Sequence, residues 1–142
     1  MLMLVASLVS YGVYQVIYLS GLTGTSHQAA SANVSRYLFG GGVVFATLIF
    51  QFLNPFFEEL IIRAYLITEV RSLTGSATKA IILSTVLQAT YHLYQGAPSA
   101  IGHGAAFLIW SIYYARTNRV APIILAHLYS DVGGTLWYLF RL

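Results

Sequence analysis

The chain has 142 residues, 58% of them hydrophobic and only 8% charged, with a net charge of +3 and a mean hydropathy of +0.73. A soluble domain carries about 25% charged residues, so this balance excludes an ordinary soluble domain and predicts an all-α, polytopic membrane helix bundle. The seven Lys/Arg residues fall mostly near predicted helix ends, where they act as topology signals rather than as a nucleic-acid surface. The lack of cysteine removes disulfides, a thiol nucleophile and any Cys-ligated metal.

At about 20 residues per span, there is room for about five transmembrane helices and no extramembrane domain. Leu2 to Leu22 lacks a basic leading segment and a small-residue cleavage site, so it is expected to be the first membrane helix rather than a signal peptide. Gly21 to Ser35 is rich in Gly, Thr, Ser and Asn and is expected to be a loop; His27 within it is given no role. From Arg36 to Leu73 the helical pattern is broken only by Gly40-Gly41-Gly42 and Pro55. At 1.5 Å per residue this is about 57 Å of helix, far more than a bilayer core of about 30 Å. It must tilt, kink at Pro55 or project.

Thr74-Gly75-Ser76 closes that segment, and Thr78 to Leu93 forms the third span. Gln95-Gly96-Ala97-Pro98 is a turn signal, and Ser99 to Ala115 is the fourth span. After the basic loop Arg116 to Arg119, Pro122 suits the first turn of a fifth span from Val120 to Phe140. With five spans, Arg71, Lys79, Arg116 and Arg119 share one face. The positive-inside rule puts that face and the N-terminus in the cytoplasm.

The informative stretch is Phe56-Phe57-Glu58-Glu59-Leu60-Ile61-Ile62-Arg63, where charge interrupts an apolar run. Ionisable residues inside a membrane are costly and are usually paired and functional. Glu59 and Arg63 are spaced for an ion pair on one helix face, while Glu58 points about 100° away with no local partner apparent. His92 lies in the third span, and His127 and Asp131 sit four residues apart in the fifth. Counted from the basic face, Glu58, Glu59, His92, His127 and Asp131 all lie about 12–20 Å deep on straight helices. His103 falls at a similar count. Three helices thus bring carboxylates and imidazoles to one level, which points to a shared polar site rather than to separate structural pairs.

The inventory removes several chemistries. There is no HExxH helix, no second aspartate for an aspartic dyad, and no GxSxG elbow. A carboxylate and imidazole set remains, able to activate water as a general base or to hold a divalent metal that does so. Two other classes stay open at this point. One is a small proton-coupled transporter using Glu58 and the histidines as a relay; the other is a non-catalytic bacteriocin immunity protein.

Glu58-Glu59 with Arg63 forms EExxxR, His92 follows one span later, and His127 to Asp131 forms HxxxD. In this order, on successive apolar helices, they resemble the CPBP family of CAAX proteases and bacteriocin-processing (Abi) intramembrane proteases. That family includes the type II CAAX prenyl protease and lysostaphin resistance protein A-like proteins. The resemblance covers about Tyr37 to Phe140, and divides the chain into residues 1–36, a first membrane helix and polar loop, and 37–142, the protease domain. Many relatives have more helices before the first motif, so the chain is expected to be a minimal member or a fragment. The second motif departs from the usual FxxxH, because Gln88 stands in the aromatic position. The third departs from HxxxN, because it ends in Asp131.

The resemblance implies an intramembrane endopeptidase acting on a membrane-anchored or lipidated protein or peptide, with CAAX-like processing or bacteriocin and leader processing as the two cases. Glu58 would activate water with help from His92, and Arg63 would hold Glu59. His127 and Asp131 would handle the carbonyl oxygen, or Glu58, His92, His127 and Asp131 would hold a divalent metal such as zinc. The expected setting is a prokaryotic cell membrane, with the lipid bilayer as partner and no nucleic acid.

Overall fold

The structure, a computed structural model, describes residues 1–21 and 45–140, with the backbone alone at 137–139. The polar loop beyond Gly21 with His27, the Gly40–Gly42 run and the division between residues 36 and 37 lie outside those residues. Among the described residues every regular element is helical. They are α1 (Leu2–Leu19), α2 (Phe45–Glu58), a π-helical segment (Glu59–Tyr65), α3 (Leu66–Thr74), α4 (Ala77–Tyr91), a short 3₁₀ turn (His92–Gln95), α5 (Ala97–Thr117) and α6 (Ala121–Phe140).

Local sequence sets the breaks between them. Gly75 takes the left-handed conformation, φ 66°, that ends α3. Ser76 then caps α4, its hydroxyl accepting from the Lys79 N–H at 3.3 Å. Gly96, φ 94°, turns the chain from the 3₁₀ segment into α5, whose first turn contains Pro98. Asn118, φ 52°, closes α5.

The run from Phe45 to Thr74 is one continuous helical rod of 30 residues, and with Leu2–Leu19 it is long and apolar enough to cross a membrane. Pro55 sits buried within the rod. Its missing N–H removes one rung of the α ladder, and the wider π segment begins four residues later. Such single-turn widenings are frequent at functional sites.

The bundle is polar where a soluble protein is apolar. Its largest fully buried side chains include Arg63, Gln88, Glu59, Ser84 and Ser111, while Leu4, Leu8, Phe50, Phe57, Ile61 and Leu125 are exposed. An apolar outside around a polar inside suits a hydrocarbon surround. Two elements turn an i, i+4 row inward: Pro55, Glu59, Arg63 and Ile67 along the rod, and Ala80, Ser84 and Gln88 along α4, continued by His92.

An apolar cluster of Ala6, Ile67, Ala80, Phe107, Trp110, Tyr114, Ile123 and Ala126 fills the rest of the interior. Helix α5 is its hub, packed against both α1 and α4, while α2 packs against α6. Small residues let the helices approach closely. At Gly102 an added Cβ would stand 3.5 Å from the Tyr14 Cβ of α1, in ordinary van der Waals contact, so the two helices lie close there.

Candidate active site

The π segment, Glu58 just before it and Trp110 of α5 meet around His127 of α6. In a straight α-helix Glu58 and Glu59 would diverge by about 100°. The π segment winds with more residues per turn, which narrows that angle, and both carboxylates reach the same imidazole. His127 Nδ1 lies 2.9 Å from Glu59 Oε1, and His127 Nε2 lies 4.0 Å from Glu58 Oε2. Asp131 Oδ1, one turn along α6, is 3.7 Å from the same Nε2.

The inner end of this cluster is locked. Glu59 Oε2 is 3.5 Å from Arg63 Nε, and both side chains are fully buried. Arg63 Nη1 donates to the Ser84 hydroxyl at 3.5 Å, and Ser84 in turn donates to the Ile62 carbonyl at 3.1 Å. Ser84 also lies 3.3 Å from the Ser111 hydroxyl of α5, to which Thr85 donates at 3.3 Å. The Arg63 guanidinium stands 5.7 Å above the Phe107 ring, a cation–π distance. Glu59 is therefore more than the partner of Arg63: it also holds His127.

Glu58 is held differently, and it does have a local partner. Asn54, four residues earlier, donates from Nδ2 to Glu58 Oε1 at 2.7 Å. From α4, Gln88 donates from Nε2 to Glu58 Oε2 at 3.0 Å. The Tyr91 hydroxyl lies close to the same carboxylate. Farther along, the Thr135 hydroxyl of α6 donates to Gln51 Oε1 of α2, tying together the helices that carry His127 and Glu58.

His92 lies at the end of α4, where the 3₁₀ turn starts, and is buried. Its Nδ1 is 2.9 Å from the Gln88 carbonyl. Its ring packs on Phe107 at 4.9 Å and on His103 at 5.8 Å. No hydrogen bond or ion pair among the described residues joins it to Glu58, Glu59, His127 or Asp131. The carboxylate cluster is thus Glu58, Glu59, His127 and Asp131, with His92 beside it. His103 is outside it, against His92 and Phe107.

The partners fix both imidazole tautomers. A carbonyl or a carboxylate only accepts, so His92 Nδ1 donates to Gln88 and His127 Nδ1 donates to Glu59. Each neutral ring is then left with its Nε2 lone pair free, as a second partner on the far nitrogen ordinarily arranges. Trp110 packs against His127 at 5.3 Å between ring centroids and restricts its tilt.

Glu58, Glu59 and His127 each offer one ligand atom within 4.8 Å of the others. Glu59, however, spends both oxygens on His127 and Arg63. The atoms turned away from that lock are Glu58 Oε2, His127 Nε2 and Asp131 Oδ1. Asp131 nevertheless stands outside the group that lies within ligating reach of one another, so a divalent metal such as zinc would find its imidazole and two carboxylates in His127, Glu58 and Glu59.

Residues 40–133 match the model of the type II CAAX prenyl endopeptidase Rce1-like family. The chain belongs to that family. The match takes in EExxxR, His92 and HxxxD, and so every helix that builds the cluster. No curated protein and no solved structure matches the chain. Membership makes the chain a membrane-bound hydrolase of the protease class.

Three members of the site escape a reading by motif. Asn54 sits at i−4 from Glu58, the spacing that pairs side chains along a helix, so its signal was present in the sequence. Ser84 and Ser111 carry no such signal, because they meet the rod only through the packing of α4 and α5.

Proposed function

We propose that the chain is an intramembrane endopeptidase that cleaves a membrane-anchored or lipidated protein or peptide, with Glu58 as the general base. The observation that supports this most directly is the facing pair, Glu58 Oε2 and His127 Nε2 at 4.0 Å. A water about 2.8 Å from each can sit between them. Glu58 takes a proton from that water as its oxygen bonds to the scissile carbonyl carbon. The carbonyl electrons move to the oxygen, and the oxyanion needs a donor placed for it. His127, held through Nδ1 by Glu59, carries a hydrogen on Nε2 only as the imidazolium, and in that form it donates Nε2–H to the oxyanion. The C–N bond then breaks, and the proton on Glu58 passes to the leaving nitrogen. His92 presents its own Nε2 and assists Glu58.

Glu58, Glu59 and His127 are the residues that would hold a divalent metal such as zinc. Bound there, the metal supplies Lewis-acid polarisation of water or carbonyl. The substrate class follows the family, with prenylated CAAX-type tails first and membrane-bound leader peptides second. In this reading the N-terminus faces the cytoplasm.

The test is cleavage by purified protein in liposomes of a membrane-anchored peptide, with and without a prenylated cysteine near its C-terminus. Mass spectrometry reads the products for wild type and Glu58→Gln, beside metal analysis of both. The expected result is a defined internal cut by wild type and none by Glu58→Gln. Equal cutting by the two proteins would overturn the assignment of Glu58.

A further inference from the structure

Gln88 stands where the resembling motif FxxxH has an aromatic residue. It is fully buried in the interior row of α4, between Ser84 and His92. Its side chain donates to Glu58 Oε2 at 3.0 Å, while its backbone carbonyl accepts from His92 Nδ1 at 2.9 Å. A carboxylate only accepts, which fixes the amide with its NH₂ group toward Glu58. One residue therefore touches both groups assigned to the water, although those two make no direct hydrogen bond with each other.

We propose that Gln88 is a positioning residue of this active site, acting with Asn54 as a pair of amides that fixes the Glu58 carboxylate. The argument is geometric. Asn54 occupies Oε1 from the rod itself, and Gln88 occupies Oε2 from across the helix interface. Held at one oxygen, a carboxylate can still swing about its terminal torsion, which is broad and roughly two-fold. Held at both, it keeps one plane, with the remaining lone pair of Oε2 turned toward His127. An aromatic residue at position 88 has no N–H to give, so this chain secures its base in a way the usual motif does not.

The two jobs of Gln88 are separable by experiment. The bond to His92 comes from the backbone and survives any replacement in the helix. A side-chain substitution therefore acts on Glu58 alone. Gln88→Met keeps the volume and removes the donor. Gln88→His keeps a ring N–H at nearly the reach of the Gln amide.

The inference rests on Glu58 being the base, so kinetics on a cleaved membrane-anchored peptide are read for wild type, Glu58→Gln, Gln88→Met, Gln88→His and Asn54→Leu. A hydrogen bond to a charged group is worth roughly ten- to hundredfold in an equilibrium or rate. The expectation is a kcat lowered by about tenfold or more in Gln88→Met, with KM unchanged and the unfolding midpoint kept. Gln88→His should recover most of that kcat, and Asn54→Leu should repeat the loss from the other oxygen. A space-filling role predicts the reverse order, with Met retained and His harmful, and that result overturns the proposal. So does wild-type kcat in both Gln88→Met and Asn54→Leu while Glu58→Gln is inactive. Full activity in Glu58→Gln overturns instead the reading of the base itself. If Gln88→Met does not fold, the kcat and KM of Asn54→Leu and Gln88→His decide the matter by the same criteria.

Discussion

Glu59 is sealed inside the bundle, with Arg63 at 3.5 Å and His127 Nδ1 at 2.9 Å, whereas its sequence neighbour Glu58 is held by the neutral amides of Asn54 and Gln88. Their side-chain exposures are 0% and 16%, and that of Asp131, farther out, is 27%. The cluster thus runs from a dry, charged lock to an accessible edge, with His127 spanning the two. A carboxylate paired with a cation on one side and an imidazole on the other is committed to structure. A carboxylate held only by neutral donors keeps its charge and a lone pair available for chemistry.

The largest expected effect tests the accessible half. Glu58→Gln is nearly isosteric and is predicted to lower kcat by about 10²–10⁴-fold, the usual range for losing a general base. The thermal unfolding midpoint in detergent should stay near wild type, because no buried charge is orphaned. A large drop in that midpoint would show that Glu58 is structural too, and the contrast with Glu59 would collapse.

Arg63→Ala probes the locked half. It leaves Glu59 buried without its cation, at a cost of about 3–5 kcal/mol. The Ser84 hydroxyl also loses the Arg63 Nη1 donor. Denaturant or thermal unfolding reads the loss directly. An Arg63→Ala protein as stable as wild type would mean that the Glu59–His127 bond alone holds the inner end.

The sequence revealed the helical class, the boundaries near Gly75, Gly96 and the Arg116 to Arg119 loop, and the gathering of Glu58, Glu59, His127 and Asp131. Those features follow from local rules: glycine and asparagine at left-handed caps, and the high penalty on ionisable groups in apolar runs. The split between Glu58 and Glu59 was not visible. It depends on the π winding after Pro55, a change of pitch that no residue type announces. The inward face of α4 was equally hidden. Thr85 and Thr90 flank the polar row Ser84, Gln88 and His92, so the row separates from the apolar outward residues Ile82, Leu83, Val86 and Leu87 only once the helix is packed. Asp131 shows the same gap. Its four-residue spacing to His127 suits a carboxylate that orients the ring. The structure gives the Nδ1 bond to Glu59 and leaves Asp131 3.7 Å from Nε2, a distance that is not a hydrogen bond.

Asp131→Asn therefore has a smaller expected effect than either substitution above. Asp131 makes no hydrogen bond to the ring, is partly exposed, and acts on Nε2 only through its charge, which nearby solvent weakens. The prediction is a kcat lowered by less than about tenfold, with stability unchanged. Metal analysis sharpens it, because a residue serving as a ligand would lose metal and activity together.

The smallest expected effect separates the two halves most cleanly. Ser111 meets Ser84 and Thr85 at 3.3 Å each, behind the Arg63 lock. Ser111→Ala deletes those contacts, but Ser84 keeps its bond to the Ile62 carbonyl and its contact with Arg63. A single neutral hydrogen bond is worth about 0.5–1.5 kcal/mol net, so the unfolding free energy should fall by about 1 kcal/mol. Ser84→Ala removes the link to both Ile62 and Arg63 and should lower it further. Neither change reaches Glu58, so kcat and KM should both stay at wild-type values when measured on folded protein. If Ser111→Ala lowered kcat as a Glu58 substitution does, strain in the lock would pass through Glu59 and His127 to the reacting edge. The sealed and accessible ends would then be one mechanical unit rather than two.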